Sequence, residues 1–312
     1  MRTRRTTSSS NSVPRETDLH PSVLLHEVVD ALELTGSETI VDCTLGGAGH
    51  TKAIAAKLKG DGKLIGLDAD PAAVDRARRA LKNAQPRVLL SVSNFRHLRR
   101  TLETLKIAAV DGFVFDLGWS GYQLVAERGF SFMADEPLLM TYGAKDAHVF
   151  TAYDVVNNWE EESIADILYG WGEERFARRI AKAIVARREL KPIATARELG
   201  ELISHAVPRF YARAKLHPAT KTFQAIRIAV NDELGALNDG LSQALISLAP
   251  KGKIAVITFH SIEDRAVKRL FREWQNRELG MATTKKPIRP STTELSANPR
   301  ARSAKLRVFQ KN

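Results

Sequence analysis

From about residue 18 onward, short apolar runs bounded by turn residues alternate with stretches whose apolar positions fall three and four apart. Residues 20–32 carry Val23, Leu24, Val28 and Leu32 at helical spacing. Residues 39–44 form a compact apolar run that breaks into Gly46, Gly47 and Gly49. That pattern predicts a buried strand, a tight loop and then a helix with Ile54, Ala55 and Leu58 on one face. A turn at Gly60, Asp61 and Gly62 leads into a second strand over 63–67, ending at Asp68. Pro71 opens a helix over 72–81, because the first helical turn does not need the N–H that proline lacks. A third strand over 87–92, a helix over 95–105 and a fourth strand over 112–115, ending at Asp116, complete the series.

This even alternation predicts an α/β fold with a parallel, doubly wound sheet whose site lies at the carboxyl ends of the strands. The next strand pattern, 253–258, comes far later. Helical patterns over 161–168, 173–189 and 196–206 fill the interval, so residues 126–216 are read as a helical insertion in a core formed by 18–125 and 217–312. Residues 222–248 predict one long helix returning to the sheet, and 262–275 another. The apolar-poor stretch 280–303, with Pro287, Pro290 and Pro299, reads as a loop before a last strand at 306–309. Residues 1–17 read as a disordered basic tail, without the apolar core of a secretory signal.

Composition narrows the partners. The chain holds 47 Lys and Arg against 36 Asp and Glu, a formal net charge of +11. An excess of that size favours a polyanionic partner, since each neutralised phosphate releases counterions. Cys43 is the only cysteine, which excludes a disulfide framework and fits a reducing, cytoplasmic setting. The eight histidines show no metal-ligand spacing, so no metal is expected. No apolar run approaches the ~20 residues needed to cross a bilayer, and no membrane association is expected.

The glycine loop, with Asp42 before it and Gly46, Gly47, Ala48, Gly49 and His50 within it, follows a strand and opens a helix. Such a loop lets backbone approach a ligand, and helix-terminal N–H groups bind a carboxylate or phosphate. Asp68 ends the next strand, where a carboxylate can accept from both ribose hydroxyls of an adenosine-containing cofactor. A dinucleotide site needs G-x-G-x-x-G; here the third glycine position is Lys52. S-adenosylmethionine, which has an amino-acid end and no phosphate, is favoured over NAD, with Asp42 available to its ammonium. After the fourth strand, Asp116, Ser120 and Gln123 offer acceptors to the protons of an exocyclic amine, and Trp119 and Tyr122 offer rings for a base or for adenine. His260 also ends a strand, and its near-neutral pKa suits it to take a proton.

These motifs, in this order, resemble the ribosomal RNA small subunit methyltransferase H family, also called MraW. The resemblance runs through HPSVLLHE at 20–27, DCTLGGAGH at 42–50, DADP at 68–71, and Asp116, Leu117 and Gly118 with Ser120 and Gln123. It continues in ERGFSFM at 127–133, GEERFA at 172–177, HPATKTFQAIR at 217–227, FHSIEDR at 259–265 and NPRARSAKLR at 298–307. It implies a class I methyltransferase (Rossmann-like) core with a helical insertion for RNA. The implied activity is S-adenosylmethionine-dependent N4-methylation of a cytidine in the decoding region of small-subunit ribosomal RNA. It implies cofactor contacts at Ala48, Gly49, His50, Asp68, Phe95, Asp116 and Gln123, of which Phe95 and Gln123 come from the resemblance alone. The expected partner is small-subunit ribosomal RNA or the 30S subunit; a homodimer is left open. One block departs: where the family reads three charged residues, this chain has Leu139, Thr141 and Gly143. That departure keeps two alternatives in view, a methyltransferase for another RNA or small molecule and a non-catalytic RNA-binding assembly factor. Basic groups at 175–188, at 209–215 with Phe210 and Tyr211, at Lys221 and Arg227, and over 285–312 are read as the RNA surface.

Overall fold

The computed structural model describes residues 22–118, 122, 127–143 and 149–312. Seven strands make one sheet: β1 (Thr39–Asp42), β2 (Lys63–Asp68), β3 (Arg87–Val92), β4 (Val110–Asp116), β5 (Leu248–Thr258), β6 (Gly280–Ala282) and β7 (Lys305–Lys311). Their order is β3-β2-β1-β4-β5-β7-β6. The pairs from β3 to β5 are parallel, and β7 runs antiparallel to both β5 and β6. The chain steps outward from β1 to β2 and β3 on one side and resumes with β4 on the other. The crevice between β1 and β4 is therefore the topological switch point, where a doubly wound sheet binds its ligand.

Alternation along the strands divides the core in two. Ile40, Leu64, Val114, Ala255 and Leu306 point to one face. That face packs against α1 (Leu25–Leu32), α2 (Gly49–Lys57) and α3 (Pro71–Ala80). Their neighbours Val41, Ile65, Phe113, Ile254 and Phe309 point to the other face, packed against α4 (Leu98–Thr104) among other helices. Covering both faces is what makes β1, β2 and β4 read as continuous apolar runs. Asp70 caps α3 by accepting from the Ala72 N–H, with Pro71 at the first helical position.

The helical part comprises α5 (Ala152–Asn158), α6 (Glu161–Gly172), α7 (Ala177–Leu190), α8 (Ala196–Ala206), α9 (Arg209–Ala212) and α10 (Thr220–Asn231). Val155, Ile164, Ile180, Ile203 and Ile226 share one apolar cluster, which continues to Val230. The chain then returns through α11 (Glu233–Ser247), α12 (Ser261–Asn276) and α13 (Thr292–Ala297). Among the described residues no helix is long and apolar enough to cross a membrane.

Three expectations are corrected. Residues 222–248 are two helices, not one, broken at Asp232, whose φ of 43° lies in the left-handed region. Aspartate tolerates that conformation without a glycine to announce it. The helix expected from residue 173 begins at Ala177, because Glu173 (φ 50°) ends α6 in the same left-handed way. The stretch 280–303 is not all loop. It holds β6, α13 and a 3₁₀ turn at Pro299–Ser303, each too short to leave a periodic signature.

Candidate active site

The loop after β1 is shaped by hydrogen bonds to two strands, β2 and β4. The Cys43 N–H donates to the Val114 carbonyl, and the Leu45 N–H donates to the Leu67 carbonyl. The Asp116 N–H donates to Thr44 Oγ1 at 2.7 Å. Gly46 turns the chain at a φ of +48°, a conformation glycine adopts freely. Its N–H donates to Asp68 Oδ2 at 3.0 Å, and the Asp70 N–H donates to Asp68 Oδ1 at 2.9 Å. Each Asp68 oxygen keeps a further lone pair for a ligand. Burial pushes the Asp68 carboxyl up to about 6.

Asp42 has a different place from the one its position in sequence gives it. It is buried, accepting from Thr51 Oγ1 at 2.6 Å and from the Thr44 N–H at 3.0 Å. It anchors the loop to α2 from below and does not face the cavity.

One cavity gathers most of the anticipated residues. Gly46, Gly47, Gly49, His50, Asp68, Phe95 and Asp116 line it together with Asn94, Ala236 and Leu237. Ala48 is fully buried behind the loop, with a left-handed φ of 62°. His260 caps α12 beside two lining residues, Phe259 and Glu263. Ser120 and Gln123, with Trp119, lie outside the described residues. Tyr122 holds the Arg76 guanidinium 4.0 Å from its ring centroid, and Arg76 Nε donates to the Gly46 carbonyl.

The loop end of this cavity fits an amino-acid-bearing adenosine. The N-terminus of α2 has no side-chain cap, which leaves its first-turn N–H groups for a carboxylate. Asp68 is placed for ribose hydroxyls. Phe95, edge-on to Phe115 at 5.6 Å, offers an apolar ring to a base. Gly240 of α11 permits this, since a Cβ there would come 2.7 Å from Phe95 Cδ2.

Across the crevice the wall is charged. Asp116 Oδ1 is buried with no hydrogen-bond partner among the described residues. His50 Nδ1 lies 3.6 Å from Asp116 Oδ2, while His50 Nε2 lies 3.0 Å from the Val23 carbonyl. Burial raises the Asp116 carboxyl to about 6, against the pull of His50. Beyond it, Arg227 donates twice to Glu233, at 2.7 and 2.9 Å, and the Tyr142 hydroxyl donates to the same carboxylate at 2.8 Å. Asn231 binds the 140–142 segment by accepting from the Tyr142 N–H and donating to the Met140 carbonyl. His260 Nε2 lies 3.0 Å from Glu263. Burial pushes the Glu263 carboxyl up, but His260 and Arg227 more than offset this and hold it below its ordinary value.

Glu233, His260 and Glu263 bring possible ligand atoms within 4.8 Å of one another. Arg227 donates to both Glu233 oxygens and Tyr142 to one of them, and that guanidinium opposes a second cation beside it.

Matches to known proteins give the family. The model of the MraW methylase family matches residues 17–312. The chain belongs to that family. A protein named ribosomal RNA small subunit methyltransferase H from Brevibacillus brevis is 46% identical over 308 residues, covering 94% of this chain and 98% of its own. A protein of the same name from Paenibacillus is 47% identical over 315 residues, covering 94% and 99%. A solved rRNA methylase from Streptococcus thermophilus is 11% identical, with a TM-score of 0.44 over 93% of this chain and 97% of its own.

Sequence reasoning missed the pairing within the family block that contains Arg227. Arg227, read there as part of an RNA surface, is only 8% exposed and pairs with the lining residue Glu233. The available signal was an arginine in an otherwise apolar helical face, flanked by Ile226 and Ile228. Other members of the basic groups are also engaged: Arg188 donates to the Val156 and Trp159 carbonyls, and Lys305 and Arg307 pair with Asp264.

Proposed function

We propose that this chain transfers a methyl group from S-adenosylmethionine to the N4 amine of a cytidine in the decoding region of small-subunit ribosomal RNA. The single observation that carries the chemistry is the free, buried Oδ1 of Asp116 at the end of β4, in the same cavity as the Asp68 carboxylate and the open end of α2. The donor, when bound, supplies an electrophilic methyl carbon on a sulfonium.

The residues supply the rest. Gly46, Gly47, Gly49 and the α2 terminus hold the donor's amino-acid end, Asp68 its ribose and Phe95 its adenine. The exocyclic amine is a poor nucleophile because its lone pair is delocalised into the ring. Asp116 accepts a hydrogen bond from it and aligns the lone pair. As the N–C bond forms and the methyl–sulfur bond breaks, its electron pair returning to sulfur to leave the neutral thioether, Asp116 takes the proton lost from nitrogen. The His50 ring, with Nδ1 3.6 Å from Asp116 Oδ2, backs the carboxylate and pulls against the effect of burial on it. His260 holds Glu263 and the start of α12; Ser120 is assigned to the target amine and Gln123 to the donor, on the sequence resemblance. The 126–216 insertion with α10 carries the RNA contacts.

Mass spectrometry of small-subunit RNA from cells lacking the gene tests the proposal. One methylcytidine is lost, restored by the wild-type chain and not by Asp116→Asn. Unchanged methylation rejects it. A second reading, methylation of a different RNA, draws on Tyr142 and its neighbours. The chain has Leu139, Thr141 and Gly143 where charge is expected, and the Tyr142–Glu233 bond occupies that side of the cavity. Methylation that persists in small-subunit RNA but disappears from another RNA favours this second reading.

A further inference from the structure

Outside the cavity, an aromatic cluster on the helical part is built around a cation. The Arg175 guanidinium lies 4.8, 5.2 and 4.9 Å from the ring centroids of Phe176, Phe210 and Tyr211. Phe176 meets Phe210 edge-on at 6.3 Å and Tyr211 edge-on at 5.0 Å. The Tyr211 hydroxyl donates to Glu174 at 2.6 Å, and Glu174, fully buried, also accepts from the Phe176 N–H. The cluster is thus fixed from the inside. Its outer member is not covered: Phe210 is 66% exposed.

A single exposed phenylalanine is ordinary. This one is held in place by its neighbours, and the exposed charges next to it in sequence are all basic. Residues 202–216 contain Arg209, Arg213 and Lys215, all exposed, and no Asp or Glu. An ordered ring among phosphate-seeking cations matches single-stranded nucleic acid, whose bases stack while its backbone is neutralised. A protein partner would leave those cations to find carboxylates one by one. The cluster also connects to the cavity. Glu173, next to Glu174, accepts from Ser261 and Arg265 at the start of α12, and the lining residue Glu263 stands two positions further on.

We propose that Phe210 is a stacking platform for an unpaired base of the RNA strand that carries the target, with Arg209, Arg213 and Lys215 on its phosphates. This rests on the methyltransferase reading for the identity of the strand, not for the binding itself.

The test uses the full chain and a fluorescein-labelled mixed-sequence RNA of roughly 12 nucleotides, within the range of single-strand site sizes. It is presented single-stranded and as a hairpin duplex, and binding is followed by anisotropy across a salt series. Phe210→Ala weakens single-strand binding about 10-fold, without changing the salt slope and with little effect on the duplex. Phe210→Trp retains wild-type affinity. Arg213→Gln weakens binding and lowers the salt slope by about 0.7. Calorimetric S-adenosylmethionine binding, unchanged in all three variants, reports that each is folded. Equal single-strand affinity in Phe210→Ala and wild type overturns the platform, as does an equal loss on the duplex. Absence of single-strand binding by the wild-type chain overturns it too, whatever the chain methylates. Phe210-dependent binding by a chain that leaves small-subunit RNA unmethylated keeps the platform and rejects the methylation proposal.

Discussion

Where Gly46, Gly47 and Gly49 line the cavity, the wall is backbone: turned peptide units, the uncapped start of α2, and an aspartate held by two N–H groups. Across the crevice the wall is side-chain carboxylate, with Asp116, Glu233 and Glu263 backed by Arg227, His50 and His260. Backbone dipoles suit a ligand whose shape never changes. Side-chain charges, whose ionisation and partners can be set one at a time, suit the place where a proton must leave. Substitutions therefore separate the halves: on the backbone side they alter donor affinity, and on the charged side they alter turnover and stability.

The largest effect expected is at Asp116. Asp116→Asn keeps the shape but removes the proton acceptor, and turnover falls by about 10²–10⁴-fold. S-adenosylmethionine affinity, measured by calorimetry, stays within a few-fold of wild type. Loss of donor binding comparable to the loss of turnover would instead assign Asp116 to the backbone-lined half.

Next comes Glu233. Its side chain is 11% exposed and that of Arg227 10%. Glu233→Gln strands a buried guanidinium, at a cost of about 3 kcal/mol, read as a lower denaturation midpoint with an unchanged slope. Replacing both residues together with an apolar pair recovers most of that loss. If Glu233→Gln unfolds at the wild-type midpoint, the pair does not brace this wall.

A smaller effect reads the charge directly. Asp68 and Asp116 both have folded-state carboxyls raised to about 6 from an ordinary 3.8. A raised carboxyl adds stability below the unfolded value and loses it as pH climbs through the folded one. The contribution from these two groups is therefore complete below about 4 and gone above about 6. Activity runs the other way, because Asp116 must be ionised to accept a proton. kcat/KM is expected to rise tenfold per unit as pH approaches 6 from below and then level. Asp116→Asn is expected to be the more stable protein at pH 8, by about 3 kcal/mol. A wild-type rate flat between pH 5 and 8 removes Asp116 as the acceptor.

The same contrast marks what the sequence made legible. Glycine spacing, strand alternation and the acids ending β2 and β4 are local signals, and they locate Asp68 and Asp116 on one crevice before any coordinate is known. The charged wall is not local. Arg227 and Glu233 are six apart, a separation that does not face along one helix; they meet only because Asp232 breaks the chain between them. No glycine or proline marks that break. Asp42 misled for a related reason. Its place before the loop was visible, but whether it faced the cavity depended on Thr51, a turn into α2.

The smallest effect belongs to the backbone-lined half and is reached from behind it. Gly240 sits in α11, where glycine lowers helix stability by about 1 kcal/mol relative to alanine. Gly240→Ala should therefore gain from propensity alone. The added methyl, however, would stand 2.7 Å from Phe95 Cδ2 and 3.2 Å from the Phe95 carbonyl. The ring can swing away, but the carbonyl is fixed by the 3₁₀ turn Phe95–His97, which Asn94 caps and Gln243 ties to α11. The helix gain and the clash nearly cancel in stability. The displaced ring does not cancel, and KM for S-adenosylmethionine rises about 3- to 10-fold while kcat stays near wild type, the signature of lost uniform binding. A change confined to kcat would mean that Phe95 faces the target rather than the donor, and the division of the cavity would have to be redrawn.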